Sequence, residues 1–273
     1  MTLGIYSNIM YAKKSLGQNF LKSKGAVRKI IEVSRLTPGD TVLEVGPGKG
    51  VLTEALLQHA GKVIAIEKDD RLIEFLKEKF ASELSGGKLE LIHGDILDLN
   101  LESYKLKAQS YKLVANIPYY ITGQLIRMFL ESDTQPELMT LMLQKEVAKR
   151  IVAQDKKESI LSISVKAYGM PHYVETVQAK YFAPVPKVDS AILLIDTISK
   201  KFFDSFPEKK FFEYVKAGFA HKRKKLIGNL QKIVPKESLE KVFEECNISK
   251  DVRAEDITSL DWEKIAKLVS SYN

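Results

Sequence analysis

Val42-Leu43-Glu44-Val45-Gly46-Pro47-Gly48-Lys49-Gly50 is an apolar stretch that runs straight into three glycines spaced two apart. Such a run reads as a buried strand, and the residues after it, 51–59, have the spacing of a helix. Glycines between a strand and a helix permit a tight turn and let a ligand approach the backbone closely. The loop is not a P-loop, because no Gly-Lys-Ser/Thr closes it. Its G-x-G-x-G spacing also departs from the G-x-G-x-x-G that cradles a dinucleotide pyrophosphate. By itself the loop is weak evidence, and a Gly/Pro-rich turn with no ligand is the competing reading.

The pattern continues on both sides. Upstream, 25–36 has helical spacing and Thr37-Pro38-Gly39-Asp40 is a turn. Downstream, strands are expected at 62–66, 89–93, 112–115 and 138–143, with helices at 70–84, 123–131 and 145–153. This β-α alternation predicts an α/β fold with a parallel sheet covered on both faces. Right-handed crossovers then place the C-terminal ends of the strands, and their loops, along one edge. Two late strands are expected at 173–180 and 190–195, joined by a connection that two prolines, Pro184 and Pro186, keep from being helical. From about residue 200 the chain reads as helical. The expected domains are therefore 1–199, a Rossmann-like sheet domain, and 200–273, a small all-helical domain.

Composition narrows the class. The chain has 273 residues, 45% hydrophobic and 28% charged, which suits a globular protein with a sizeable core. No apolar run approaches the ~18 residues of a membrane span, and Met1–Tyr6 lacks a secretory pattern. Cys246 is the single cysteine, so an intrachain disulfide and a Cys-based zinc site are excluded. The four histidines are scattered, and no metal is expected. A cytoplasmic monomer that does not engage a membrane is the simplest expectation. The net charge of +7 is uneven: residues 200–225 hold nine Lys/Arg against three Asp/Glu. That cluster suits phosphate-backbone binding, since neutralised phosphates release condensed counterions. A solvated Lys-rich helix face is the competing reading.

Four further elements give the Gly loop a chemistry. Glu67 lies 21 residues after Gly46, at the end of the second strand, where a carboxylate accepts from ribose hydroxyls. Asp95 ends the third strand, where it can accept from an adenine amino group. Each acid alone also reads as a helix N-cap or a surface charge; the series of three strand ends is what points to an adenosine pocket. The loop spacing favours S-adenosylmethionine (SAM) over NAD. At the end of the fourth strand comes Asn116-Ile117-Pro118-Tyr119. An adenine amino group is a poor nucleophile because its lone pair is delocalised into the ring. The Asn116 side-chain oxygen and a backbone carbonyl can accept its hydrogens and aim the lone pair at a methyl carbon. Pro118 supplies no competing N–H, and Tyr119 offers a flat face. An ordinary β-turn remains the competing reading. Phe182, in Phe182-Ala183-Pro184-Val185-Pro186, is either a second aromatic wall for an extruded base or a core residue beside a proline turn.

These segments resemble the ribosomal RNA adenine N6,N6-dimethyltransferases of the small subunit. The resemblance rests on Lys14-Ser15-Leu16-Gly17-Gln18-Asn19-Phe20-Leu21, the glycine loop, Glu67, Gly94-Asp95 and Asn116-Ile117-Pro118-Tyr119-Tyr120-Ile121. Leu143-Gln144-Lys145-Glu146-Val147-Ala148, Phe182 to Ser190, and Arg253-Ala254-Glu255-Asp256-Ile257 add to it. It implies SAM-dependent dimethylation of two adjacent adenosines near the 3′ end of small-subunit rRNA, within an immature subunit. It implies that Asn19 and Leu21 close over SAM, that Gly46, Gly48, Glu67, Asp95 and Asn116 line the cofactor site, and that Asn116, Tyr119 and Phe182 hold the adenine. The C-terminal helices would then seat the enzyme on RNA, with Lys222, Arg223, Lys224 and Lys225 as contacts; Lys145, Lys149 and Arg150 are the alternative footprint. Two other functions stay open: a related methyltransferase acting on large-subunit rRNA, and a non-catalytic ribosome-assembly factor on the same scaffold.

Overall fold

The structure, a computed structural model, describes residues 11–99 and 106–272. The Met1–Tyr6 stretch lies outside them. In chain order the elements are β1 (Phe20–Leu21), α1 (Lys24–Ser34), β2 (Thr41–Val45), α2 (Val51–His59), β3 (Lys62–Glu67), α3 (Asp70–Lys79), α4 (Ala81–Ser85), β4 (Leu89–His93), β5 (Tyr111–Asn116), α5 (Thr122–Glu131) and β6 (Leu138–Gln144). There follow α6 (Lys145–Val152), α7 (Ile160–Lys166), β7 (Met170–Val177), β8 (Phe182–Ala183), β9 (Ser190–Asp196), α8 (Glu208–Gly218), α9 (Leu226–Leu230), α10 (Lys236–Glu245) and α11 (Ser259–Tyr272).

Seven strands form one sheet in the order β4-β3-β2-β5-β6-β9-β7. β2, β3, β4, β5 and β6 run parallel, and β9 is antiparallel to β6. The order reverses between β2 and β5, so the crevice beyond their C-terminal ends is where such a sheet binds ligands. Burial explains why the central strands read as unbroken apolar runs. Tyr111 to Ala115 of β5 and Leu138 to Leu143 of β6 are all buried, as parallel strands covered on both faces require. The helices that cover them carry an apolar stripe. On α5 it is Leu125, Ile126, Phe129 and Leu130; on α1 it is Ala26, Val27, Ile30 and Ile31, started by Ser23, whose hydroxyl caps Ala26 N.

The helix expected over 70–84 is two helices. At Phe80 the backbone leaves helical geometry (φ −115°, ψ 31°), and the Phe80 ring is buried against Gly50, where an added Cβ would stand 2.5 Å from it. The break thus falls at the residue whose ring is seated against the glycine loop.

The chain divides into two compact units, 1–148 with 172–198, and 149–171 with 199–273. The division is discontinuous, against the contiguous 1–199 and 200–273 expected from sequence. The reason is packing: Ile163 and Ala167, on and just after α7, belong to the same buried cluster as Phe211, Val215, Leu239 and Trp262 of the C-terminal helices. No helix among the described residues is long and apolar enough to cross a membrane.

Candidate active site

The C-terminal ends of β2, β3 and β5 and the segment 16–21 line one pocket in the first unit. Its floor is the glycine loop. Gly46, Gly48 and Gly50 all adopt left-handed backbone (φ 69°, 59° and 72°), which explains glycine at every second position. At Gly48 a side chain would also meet the Phe20 ring at 3.0 Å.

Three carboxyl groups face this loop or its neighbours. Glu67 ends β3. Its Oε2 accepts from Gly48 N (3.1 Å) and its Oε1 from Asp69 N (2.9 Å). Burial raises its pKa, against the pull of those backbone N–H groups. A carboxylate has about four acceptor positions, so about two remain for a ligand. Glu44, near the end of β2, is completely buried, and its Oε2 has no hydrogen-bond partner among the described residues. Burial, reinforced by the nearby Glu67 charge, pushes its pKa up to about 8. Asp95 follows β4. Its Oδ1 accepts from Leu97 N (3.0 Å) and its Oδ2 from Lys68 Nζ (2.5 Å). Burial opposes ionisation, but the Lys68 hydrogen bond, the Leu97 N–H and the Lys68 charge together outweigh it and hold the carboxyl below its usual range.

The substrate side is built on β5. Asn116 is its last residue, and its Nδ2 donates to Asn19 O at 3.1 Å. With the NH2 end committed, Oδ1 is the end that can accept an amino hydrogen. Tyr119 follows in a single 3-10 turn, Tyr119–Ile121, and lines the pocket half-buried. Its hydroxyl lies 2.8 Å from Ser190 Oγ. Burial raises the phenol pKa despite that bond, so it stays protonated at neutral pH.

The segment 16–21 forms a strap along the pocket, with Asn19 and Leu21 among its lining residues. One end is held by the β1–β8 ladder, Phe20 opposite Ala183 and Leu21 opposite Phe182. The other end is held by Asp69, whose side chain is fully buried. Asp69 accepts from Lys13 Nζ (3.1 Å), Gln18 Nε2 (2.9 Å) and Arg71 Nη2 (2.7 Å). The Arg71 contact, with those from Gln18 and Lys13, pulls its pKa far below the ordinary carboxylate range.

The structure thus brings Asn19, Leu21, Gly46, Gly48, Glu67, Asp95, Asn116 and Tyr119 together. It does not bring Phe182 with them. That ring is 1% exposed, lies in the buried core of the first unit and does not line the pocket. Pairing of Leu21 with Phe182 across the ladder fixes it there. Glu44, Asp69 and Ser190 were not singled out from sequence. Glu44 had a signal, as a charged residue in an otherwise apolar strand; Asp69 and Ser190 had none beyond that of a helix cap and a strand end.

In the second unit, His221 to Lys225 form an exposed turn between α8 and α9. Asn229 is buried beneath it and donates to Gly218 O (2.6 Å) and His221 O (3.1 Å). Lys225 is paired with Asp251 at 2.5 Å. His221, Lys222, Arg223 and Lys224 line a shallow depression.

The family model for ribosomal RNA adenine dimethylase matches residues 9–271. Ribosomal RNA small subunit methyltransferase A of Dehalococcoides mccartyi is 43% identical over 93% of this chain and 87% of its own. The protein of the same name from Fusobacterium nucleatum is 38% identical over 90% and 93%. Among solved structures, a dimethyladenosine transferase from Plasmodium falciparum superposes with a TM-score of 0.77 at 29% identity, covering 90% of this chain and 95% of its own. The 23S rRNA methyltransferase ErmE gives 0.74 at 25% identity, covering 92% and 100%. The chain belongs to the ribosomal RNA adenine dimethylase family.

Proposed function

We propose that this pocket dimethylates the N6 amino groups of two adjacent adenosines near the 3′ end of small-subunit rRNA, acting on an immature small subunit. Family membership makes the chain an rRNA adenine dimethyltransferase that uses SAM. The choice of the small subunit follows relatives at 43% and 38% identity that carry that name; the large-subunit ErmE is similar at 25%.

The residues present fit the cofactor. Glu67 keeps acceptor positions for two ribose hydroxyls, Glu44 Oε2 is a buried polar atom lacking a partner among the described residues, and the glycine loop has no Cβ over the floor. When bound, SAM supplies an electrophilic methyl group on a sulfonium. Glu67 and Asp95 would hold its adenosine, and Asn19 and Leu21 would close the strap beside it. Lys222, Arg223 and Lys224 would contact RNA phosphates from their exposed turn, with Lys225 weakened as a contact by Asp251.

The observation that carries the chemistry is the Asn116 side chain, tied by its NH2 to the strap carbonyl of Asn19. Its Oδ1 accepts a hydrogen from the adenine N6 and turns the nitrogen lone pair out of conjugation with the ring. Pro118 offers no N–H to compete, and Tyr119 supports the base. Alignment of nitrogen with methyl carbon then supplies the largest share, roughly 7–11 kcal/mol for well-oriented groups. No general base of high pKa is needed, since the methylated nitrogen is acidic and sheds its proton to water.

Asn116→Ala should lower methyl transfer to unmethylated small subunits by about 10²–10³, the cost of one preorganised polar contact. Subunit binding, measured by co-sedimentation, should stay at the wild-type level. Equal loss of transfer and binding would make Asn116 a structural residue and reject the reading.

A further inference from the structure

The 182–190 segment makes a contact that the function above leaves unused. Ser190 is fully buried at the start of β9, opposite Gln144 of β6. Its Oγ lies 2.8 Å from the Tyr119 hydroxyl. The residue before it is anchored three times. Asp189 Oδ1 accepts from Ala179 N (3.1 Å), Asp189 Oδ2 lies 3.4 Å from Lys145 Nζ, and Asp189 O accepts from Lys145 N (3.0 Å). Ser190 Oγ is therefore mounted on fixed backbone, with a strand ladder on one side and a cross-linked corner on the other. Tyr119 sits in a turn of three residues, where its backbone O accepts from Thr122 N and its side-chain hydroxyl meets Ser190.

We propose that Ser190 is the positioning residue for Tyr119, fixing the ring against which the target adenine lies. The idea rests on Tyr119 being the base-facing wall. A hydrogen bond at the para position holds the direction of the ring's long axis and leaves only rotation about it, which half-burial limits. The strand end thus reaches the catalytic turn across 71 positions of sequence. It also gives the Phe182–Ser190 segment a role through its last residue rather than its aromatic one.

The test uses four proteins: wild type, Ser190→Ala, Tyr119→Phe and the double variant. Single-turnover methyl transfer to unmethylated small subunits is measured at saturating SAM, with S-adenosylhomocysteine affinity by calorimetry and melting temperature alongside. Small displacements of reacting groups are costly in rate, so each single variant should lose about tenfold, with cofactor affinity unchanged within about twofold. The double variant should lose no more than either single one, since both remove the same contact. Stability should behave differently. Each single variant strands a buried hydroxyl and melts earlier, whereas the double variant removes both partners and recovers. Rate that recovers together with stability would reduce the pair to a structural bond and overturn the proposal, as would a wild-type rate in Ser190→Ala. Tyr119→Ala separates the two levels. If it is inactive while Ser190→Ala is normal, only the positioning role fails; if it is fully active, the base-facing reading fails as well.

Discussion

Glu44, Glu67 and Asp95 line the pocket of the first unit and Asp69 anchors the strap along it, none of them exposed. The loop from His221 to Lys225 in the second unit carries its cations in the open. Both regions are fixed from behind by hydrogen bonds, Asp69 through the strap and Asn229 through the carbonyls of Gly218 and His221. They differ in what salt can reach. Contacts among buried groups are screened little, and exposed charges are screened within about 10 Å at 0.1 M ionic strength. On the proposed reading, a small nucleoside would be held by directed, shielded acceptors and a polyanion by exposed cations that salt screens, so the two affinities should respond to different variables.

The largest effect that would sharpen this contrast is on the loop. Replacing Lys222, Arg223 and Lys224 with Ala should remove about three phosphate contacts. The slope of log K against log salt for subunit binding should flatten by about 2, while S-adenosylhomocysteine affinity holds. Lys225→Ala alone should flatten it less, because Asp251 already pairs with that ammonium. An unchanged slope in the triple variant would move the footprint elsewhere, with Lys145, Lys149 and Arg150 the next candidates.

Asp69→Asn breaks the contrast from the other side. Asn caps a helix about as well as Asp, so α3 keeps its start. The amide NH2, however, faces donors from Lys13, Gln18 and Arg71 and cannot accept from all of them. Cofactor affinity should fall by about tenfold, the weight of one charge-assisted hydrogen bond, with the salt slope of subunit binding unchanged. In the wild type, Asp69's lowered pKa means that its contribution is complete above the ordinary carboxylate range and fades only as pH falls below it. The strap should accordingly remain latched across pH 6 to 9.

The smallest effect concerns Glu44. Its carboxyl holds a proton in the folded chain up to about pH 8 and loses it far lower when unfolded. Folded Glu44 thus binds more protons over that window, so its contribution to stability falls as pH rises from about 4.5 to about 8. Glu44→Gln should flatten the decline of melting temperature over pH 5.5 to 8. A slope identical to wild type would mean that Glu44 is ionised throughout.

How much was legible follows the same division. The glycine loop, Glu67, Asp95 and Asn116 sit at strand ends, and strands of five to six residues announce themselves by apolar runs. Phe182 could not be placed that way, because β1 and β8 have two residues each and no periodicity. Their ladder, absent from any pattern, takes the ring into the core. Asp69 caps α3, accepting from Arg71 N; its hold on Gln18 spans 51 positions and leaves no local trace. The helix α7 shows the same limit: no helix is expected from the sequence over 160–166, and the place of Ile163 in the core of the C-terminal helices has no local signal.

The most direct measurement is tritium transfer from labelled SAM to unmethylated small ribosomal subunits, followed by digestion of the RNA and identification of the modified nucleoside. The account predicts N6,N6-dimethyladenosine from the 3′-terminal region and no label in large subunits. Label confined to the large subunit, or retained subunit binding with no transfer at all, would contradict it.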